Sequence, residues 1–220
     1  LQANLLIQVI HRIARNSLLK MNGLITIADN AVYTATKDGN VDAIKMLHEY
    51  GADLNKAANN GATPVCAAAQ DGHVDAIKVL HEYGADVNQS KNDGWSPLQI
   101  ASRKGHAAVV DFIKEVVKSQ VLNEVNRLIE ERNKEDLVNL LTCGITHNNV
   151  LESDGPIVIA NNKIYQRSAI EDWIGRSPTC PLTRTPLEEN MLIDVTNEIN
   201  RRKRDITNVN DQVLPLKRKN

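Results

Sequence analysis

The sequence predicts a mainly α protein in two parts: a helical solenoid of repeated helix pairs, then a small zinc-free α+β domain. Three observations lead there. A 33-residue pattern recurs within residues 31–118. Apolar residues then continue at helical spacing to residue 141. From 143 to 187 the order reads loop, apolar strand, amphipathic helix, loop, with too few ligands to hold a metal.

Residues 1–30 are expected to form an N-terminal helical cap. The opening LQANLLIQVIHRIARNSLL carries His11, Arg12 and Arg15 inside its apolar pattern, which suits a helix better than a signal peptide. It begins at Leu1 and not at Met, so its true start is left open.

The repeats are the plainest signal. VDAIKMLHEYGADLN at 41–55 returns as VDAIKVLHEYGADVN at 74–88, differing only at Met46/Val79 and Leu54/Val87. The same offset relates Gly39, Gly72 and Gly105, and relates Gly61-Ala62-Thr63-Pro64 to Gly94-Trp95-Ser96-Pro97. Thr63-Pro64 and Ser96-Pro97 set a hydroxyl N-cap before a Pro at the first helical position. Gly72 and Gly105 suit the left-handed turn that ends the first helix. Ile44 and Leu47, like Ile77 and Leu80, form the apolar stripe that packs on the next unit. The first unit lacks Thr-Pro and has Ala31-Val-Tyr-Thr instead; the third never reaches a Gly-Ala-Asp finger. It runs into a helix marked by Val110, Ile113, Val117, Val121, Val125 and Leu128, read as a cap that becomes a linker (119–141) broken near Asn133.

A unit of turn, short helix, Gly, second helix and Gly-Ala-Asp-x-Asn resembles the ankyrin repeat. The resemblance implies a stack whose finger tips and first-helix ends face a concave, protein-binding side. Its candidate substrate-binding residues are Asn59, Asn60, Gln70 and Asp71 in one repeat, and Asn92, Asp93, Trp95, Arg103 and Lys104 in the next. Trp95 is the strongest, since an exposed Trp often anchors an interface; its other reading is packing on the neighbouring finger. For the whole arm the other reading is a rigid spacer.

The C-terminal part holds too few ligands for zinc. One tetrahedral zinc site needs four ligands, and from Cys143 onward there are only Cys143, Cys180 and His147. Pro156-Ile-Val-Ile-Ala reads as a strand, Ser168 as the N-cap of a helix with apolar face Ile170, Trp173 and Ile174, and Pro178 and Pro181 as forcing an extended loop. A last amphipathic helix is expected over 192–204 through Leu192, Val195 and Ile199, then a flexible tail, 205–220. The basic run Arg201-Arg202-Lys203-Arg204 suits a helix C-terminus better than a nuclear signal.

Cys143-x-Ile145-Thr146, 156–160, Tyr165-x-Arg167-Ser168-Ala169-Ile170-Glu171-x-Trp173-Ile174 and Cys180-Pro181-Leu182-Thr183-x-x-Pro186-Leu187 together resemble the U-box, the zinc-free relative of the RING finger. The domain is drawn at 142–204. The resemblance implies ubiquitin ligase activity with no covalent intermediate: the domain would hold a ubiquitin-charged conjugating enzyme and bias it toward reaction. Ile145 and Pro181 would be apolar contacts on that enzyme, Trp173 would project onto the same surface, and His147 would sit at its rim. Arg184 would clamp the enzyme and ubiquitin together with its fork of donors. The other readings are plain core for Ile145 and Trp173, and a solvated loop charge for Arg184. Asn148 stands where many members carry a glutamate, and the run 151–155 is lengthened. Cys143 and Cys180 read as small buried hydrophobes, not nucleophiles.

The function expected is therefore a ubiquitin ligase that takes a protein substrate on its repeats, without cofactor or metal. The alternative is an inactive U-box-like adaptor that serves docking or dimerisation, and a homodimer is an expected form in either case. A net charge of −1 gives no electrostatic reason to expect nucleic acid or an anionic membrane, and no apolar run approaches the ~20 residues that span a bilayer. Three scattered cysteines suit a reducing, cytoplasmic location. The 24 asparagines suit an AT-rich genome, and such modules in a short chain suit an effector delivered by a bacterium into a host cytosol.

Overall fold

The computed structural model describes residues 22–131, 134–143, 145–146, 149–150, 155–160, 163–181 and 187–211. They fall into two compact units divided after Ile113.

The first unit is a stack of helix pairs. Helix α1 (Asn22–Lys37) precedes α2 (Val41–Glu49), α3 (Pro64–Asp71) precedes α4 (Val74–Glu82), and α5 (Pro97–Lys104) precedes α6 (Ala107–Glu130). The first-helix starts follow from their caps. The Thr63 hydroxyl accepts from the Cys66 N–H at 3.3 Å. Ser96 and Gln99 make a reciprocal capping box, which satisfies the side-chain oxygen of the buried Gln99. Helix α3 is buried nearly all round, because Cys66-Ala67-Ala68-Ala69 is thin enough for neighbours on both sides. It packs against both α1 and α5.

Repeat-to-repeat bonds recur at the same spacing. The His73 ring bonds the Lys37 carbonyl and the His106 ring the Gln70 carbonyl, each through Nε2 at 3.0 Å. Gly39 and Gly72 lie under those rings: a Cβ on Gly72 would come within 2.6 Å of His106 Nδ1, and its φ of +81° is left-handed besides. The fingers join in the same register, Asn92 N–H donating to the Asn60 carbonyl at 3.0 Å and Asn92 Nδ2 to the Asn59 carbonyl at 3.1 Å. Asp-x-Asn earns its place locally, since Asp53 and Asp86 each accept from the Asn N–H two residues on, at 2.8 Å.

The second unit contains the remainder of α6 from Lys114, helix α7 (Lys134–Leu140), strands β1 (Ile157–Ala160) and β2 (Lys163–Gln166), helix α8 (Arg167–Arg176), a 3-10 turn at Glu189–Met191, strand β3 (Ile193–Asp194) and helix α9 (Thr196–Asp211). The antiparallel sheet has the order β2-β1-β3, with Val158 opposite both Tyr165 and Asp194. Helix α9 packs on α7 and β1, and Lys118 and Asn126 of α6 meet it through Glu198 (2.6 Å) and Arg202 (2.6 Å).

Several expectations are corrected here. The cap boundary at 30/31 falls inside α1, which begins by Asn22; residues 1–21 of that cap lie outside the described residues. Helix α6 runs from Ala107 across the drawn boundary at 118/119, in keeping with a cap that becomes a linker, and it ends at Glu130 with α7 starting at Lys134, so the break falls near Asn133 as expected. Ser168 caps nothing: α8 starts at Arg167 after Gln166, and Ser168 is exposed in its first turn. The expected strand forms at 157–160 and, as the central strand, is buried at all four positions. The last helix starts at Thr196, because Ile193-Asp194 is needed as the third strand, and Leu192 and Val195 are buried ahead of it. It runs through 205–211, where a flexible tail was expected. Ile206, seven residues after Ile199, is fully buried on the same helical face.

Candidate functional site

Each unit presents one candidate surface. In the first, a cleft of about 310 Å³ opens between the finger tip at 91–95 and the first helices of the second and third repeats. Five nominated residues line it: Gln70, Asp93, Trp95, Arg103 and Lys104. Two more were missed, Lys91 and Ile100. The signal for them was the 33-residue offset: Lys91 and Ile100 stand where the previous repeat has Ala58 and Ala67. Each enlarges a position that its equivalent leaves small.

The finger holds these groups in place. Lys91 N–H donates to the Trp95 carbonyl at 3.0 Å, closing the hairpin. Asp93 accepts from the Trp95 N–H at 3.2 Å and pairs with Lys91 Nζ at 2.8 Å; these two contacts, the Lys91 bond foremost, hold its carboxyl below the usual range. Trp95 is half-buried, with Arg103 over its ring at 5.1 Å. Asn59, Asn60 and Asn92 are exposed but bond finger to finger, and Asp71 is exposed at the end of α3 outside the cleft lining.

In the second unit, two loops converge on Tyr165. Cys143 comes from the first, Cys180 from the second, and both thiols neighbour the Tyr165 hydroxyl. That oxygen is buried without a well-aligned hydrogen-bond partner among the described residues. Burial, then the Cys180 thiol, raises the Tyr165 pKa. Burial would also raise Cys143, but bonds from Thr146 (side chain and N–H) and from the Gln166 and Ile145 N–H groups win, and its pKa falls. The first loop is thereby fastened to β2 through one sulfur.

Both loops are also tied to helices. Thr142 Oγ1 donates to the Val138 carbonyl at 2.7 Å, and Val150 N–H to the Leu141 carbonyl at 2.9 Å. In the second loop, Trp173 Nε1 donates to the Thr179 carbonyl at 2.9 Å, and Leu187 N–H to the Pro178 carbonyl at 3.1 Å. Trp173 is half-buried and so serves as a brace between α8 and the loop that carries Pro181. Ile145 and Pro181 are half-buried turn residues, with Ile145 in the loop fastened at Cys143. Arg167 bonds Glu171 at 2.6 Å and reaches Asp194 at 3.4 Å, linking α8 to β3. His147, Asn148 and Arg184, with loop residues 151–154, lie outside the described residues. Among the described residues, no group of three or more His, Cys, Asp or Glu is placed to hold a metal ion, and no helix is long and apolar enough to cross a membrane.

A stack of helix pairs with bonded fingers, joined in sequence to a sheet-and-helix domain braced by sulfur and polar contacts, defines a protein of two interaction modules. Two family models match it: ankyrin repeats, in three copies, over residues 31–124, and the U-box domain over residues 148–201. The chain is an ankyrin-repeat protein with a C-terminal U-box. No curated protein matches it. The pairing supports a ubiquitin ligase-type or adaptor role with protein partners, and neither match speaks to a bacterial origin.

Proposed function

We propose that this protein is a ubiquitin ligase, in which the U-box recruits a ubiquitin-charged conjugating enzyme and the ankyrin repeats bring a protein substrate to it. The observation that carries the reading is the U-box match over 148–201, on a unit in which Cys143 of the first loop and Cys180 of the second converge on Tyr165. Such a domain does no bond-breaking itself. Its contribution is positioning, so the groups that matter are those touching the conjugating enzyme. Ile145, Trp173 and Pro181 are our candidates for that contact, His147 for its rim and Arg184 for the clamp.

The purified protein, incubated with a panel of conjugating enzymes, activating enzyme, ATP and ubiquitin, should ubiquitinate itself. Ile145→Ala or Pro181→Ala should each lower the rate by about tenfold or more. Wild-type rates in both variants would reject the site. A second reading, an adaptor without activity, is favoured by Asn148 and by the use of the Trp173 indole inside the domain. It predicts a folded U-box that ubiquitinates nothing with any conjugating enzyme, and whose NMR spectrum no conjugating enzyme perturbs.

A further inference from the structure

The ankyrin cleft is electrically unlike the unit around it. The unit, residues 1–113, carries ten basic residues against eleven acidic ones, so as a whole it is close to neutral. The cleft departs from that balance, with Lys91, Arg103 and Lys104 against Asp93 alone.

The single acid does not neutralise its neighbours. Asp93 is engaged by Lys91 at 2.8 Å and by the Trp95 N–H at 3.2 Å. No ion pair is formed by Arg103 or Lys104 among the described residues, and both are exposed. Arg103 lies over Trp95 at 5.1 Å. A cation–π contact consumes none of the guanidinium N–H donors, so they remain available to a carboxylate. Ile100 and the uncovered part of Trp95 add apolar surface beside these charges. The Gln70 side chain, exposed at the end of α3, supplies an uncharged donor and acceptor suited to peptide backbone.

We infer that this cleft selects an acidic peptide segment of the partner protein, with a Glu or Asp carboxylate on Arg103 and Lys104 and an apolar side chain beside it on Ile100 and Trp95. The inference rests on the ligase reading only in calling that partner a substrate. Selection comes from charge complementarity and the waiting fork of Arg103. Outside the cleft, residues 1–113 carry seven basic residues against ten acidic ones, which disfavours acidic chains that do not reach it.

Fluorescence anisotropy of the full-length protein with three short labelled peptides tests it. The first is built from Glu, Leu and Gly, the second replaces every Glu by Gln, and the third replaces every Glu by Lys. The Glu peptide should bind at least about tenfold more tightly than the other two, and raising salt from about 50 to about 300 mM should weaken it severalfold. Arg103→Glu and Lys104→Glu, both exposed and so expected to fold, should each weaken the Glu peptide by about tenfold. Arg103→Lys should recover only part of the loss, because it keeps the charge and lacks the fork. Equal binding of the Glu and Gln peptides, no binding of the Glu peptide, or indifference to Arg103→Glu would overturn the inference. Self-ubiquitination is read on the same proteins: if it persists while peptide binding fails, the ligand is wrong and the ligase reading stands; if it is absent while the Glu peptide binds as expected, the reverse holds.

Discussion

Gly72 and Gly105 occupy equivalent positions with almost the same φ, +81° and +78°, yet they do different work. Both need the left-handed region, but a Cβ at Gly72 would also strike the His106 ring at 2.6 Å, whereas nothing lies within 4 Å of one at Gly105. Gly105→Ala should therefore lose about 1 kcal/mol, the backbone part alone, and Gly72→Ala about 2 kcal/mol or more; urea titrations of the two variants measure the difference. Tyr165 is the opposite case. Its hydroxyl is buried without an aligned partner among the described residues, so Tyr165→Phe should leave stability unchanged or raise it by up to about 1 kcal/mol. A clear loss in the melting temperature would show that the hydroxyl is satisfied after all. The sequence announced the glycines through their spacing. It gave no sign of the Tyr165 thiol cluster, because Cys143 and Cys180 come together only when both loops close on β2.

Among elements, α6 and α9 show how a pair of helices is fastened by charge. Lys118 holds Glu198 at 2.6 Å and lowers its carboxyl, and Glu198 in turn raises the Lys118 ammonium. A lowered carboxyl contributes stability above its ordinary value of 4.5 and loses it as pH falls through the lower folded value. A raised ammonium contributes below its ordinary value of 10.5 and loses it as pH rises through the higher folded value. The pair is thus fully formed between those limits. Glu198→Gln should cost about 0.5–1 kcal/mol at neutral pH, since both side chains are partly exposed, and the deficit should shrink below pH 4.5 in urea titrations run against pH. Helix existence was legible from periodicity and caps; helix ends were less so. Residues 192–195 share the apolar spacing of the helix that follows, and only pairing with β1 makes Ile193-Asp194 a strand.

For the whole molecule, the division after Ile113 makes a thermodynamic prediction. Calorimetry should resolve two transitions, with Gly72→Ala lowering one and Glu198→Gln lowering only the other, because the two sites share no partner. A single transition shifted by both variants would mean that the units unfold as one. The sequence by itself determined the modular plan. A 33-residue offset specifies a repeat, and the count of Cys and His after residue 142 argues against zinc, because both are properties of order and composition. It also nominated the cleft residues Gln70, Asp93, Trp95, Arg103 and Lys104 one at a time. Only the tertiary structure decided that these five line one cleft, that Lys91 occupies Asp93, and that Arg103 lies over Trp95. Those are distances between groups far apart along the chain or on separate elements, and periodicity carries no distances.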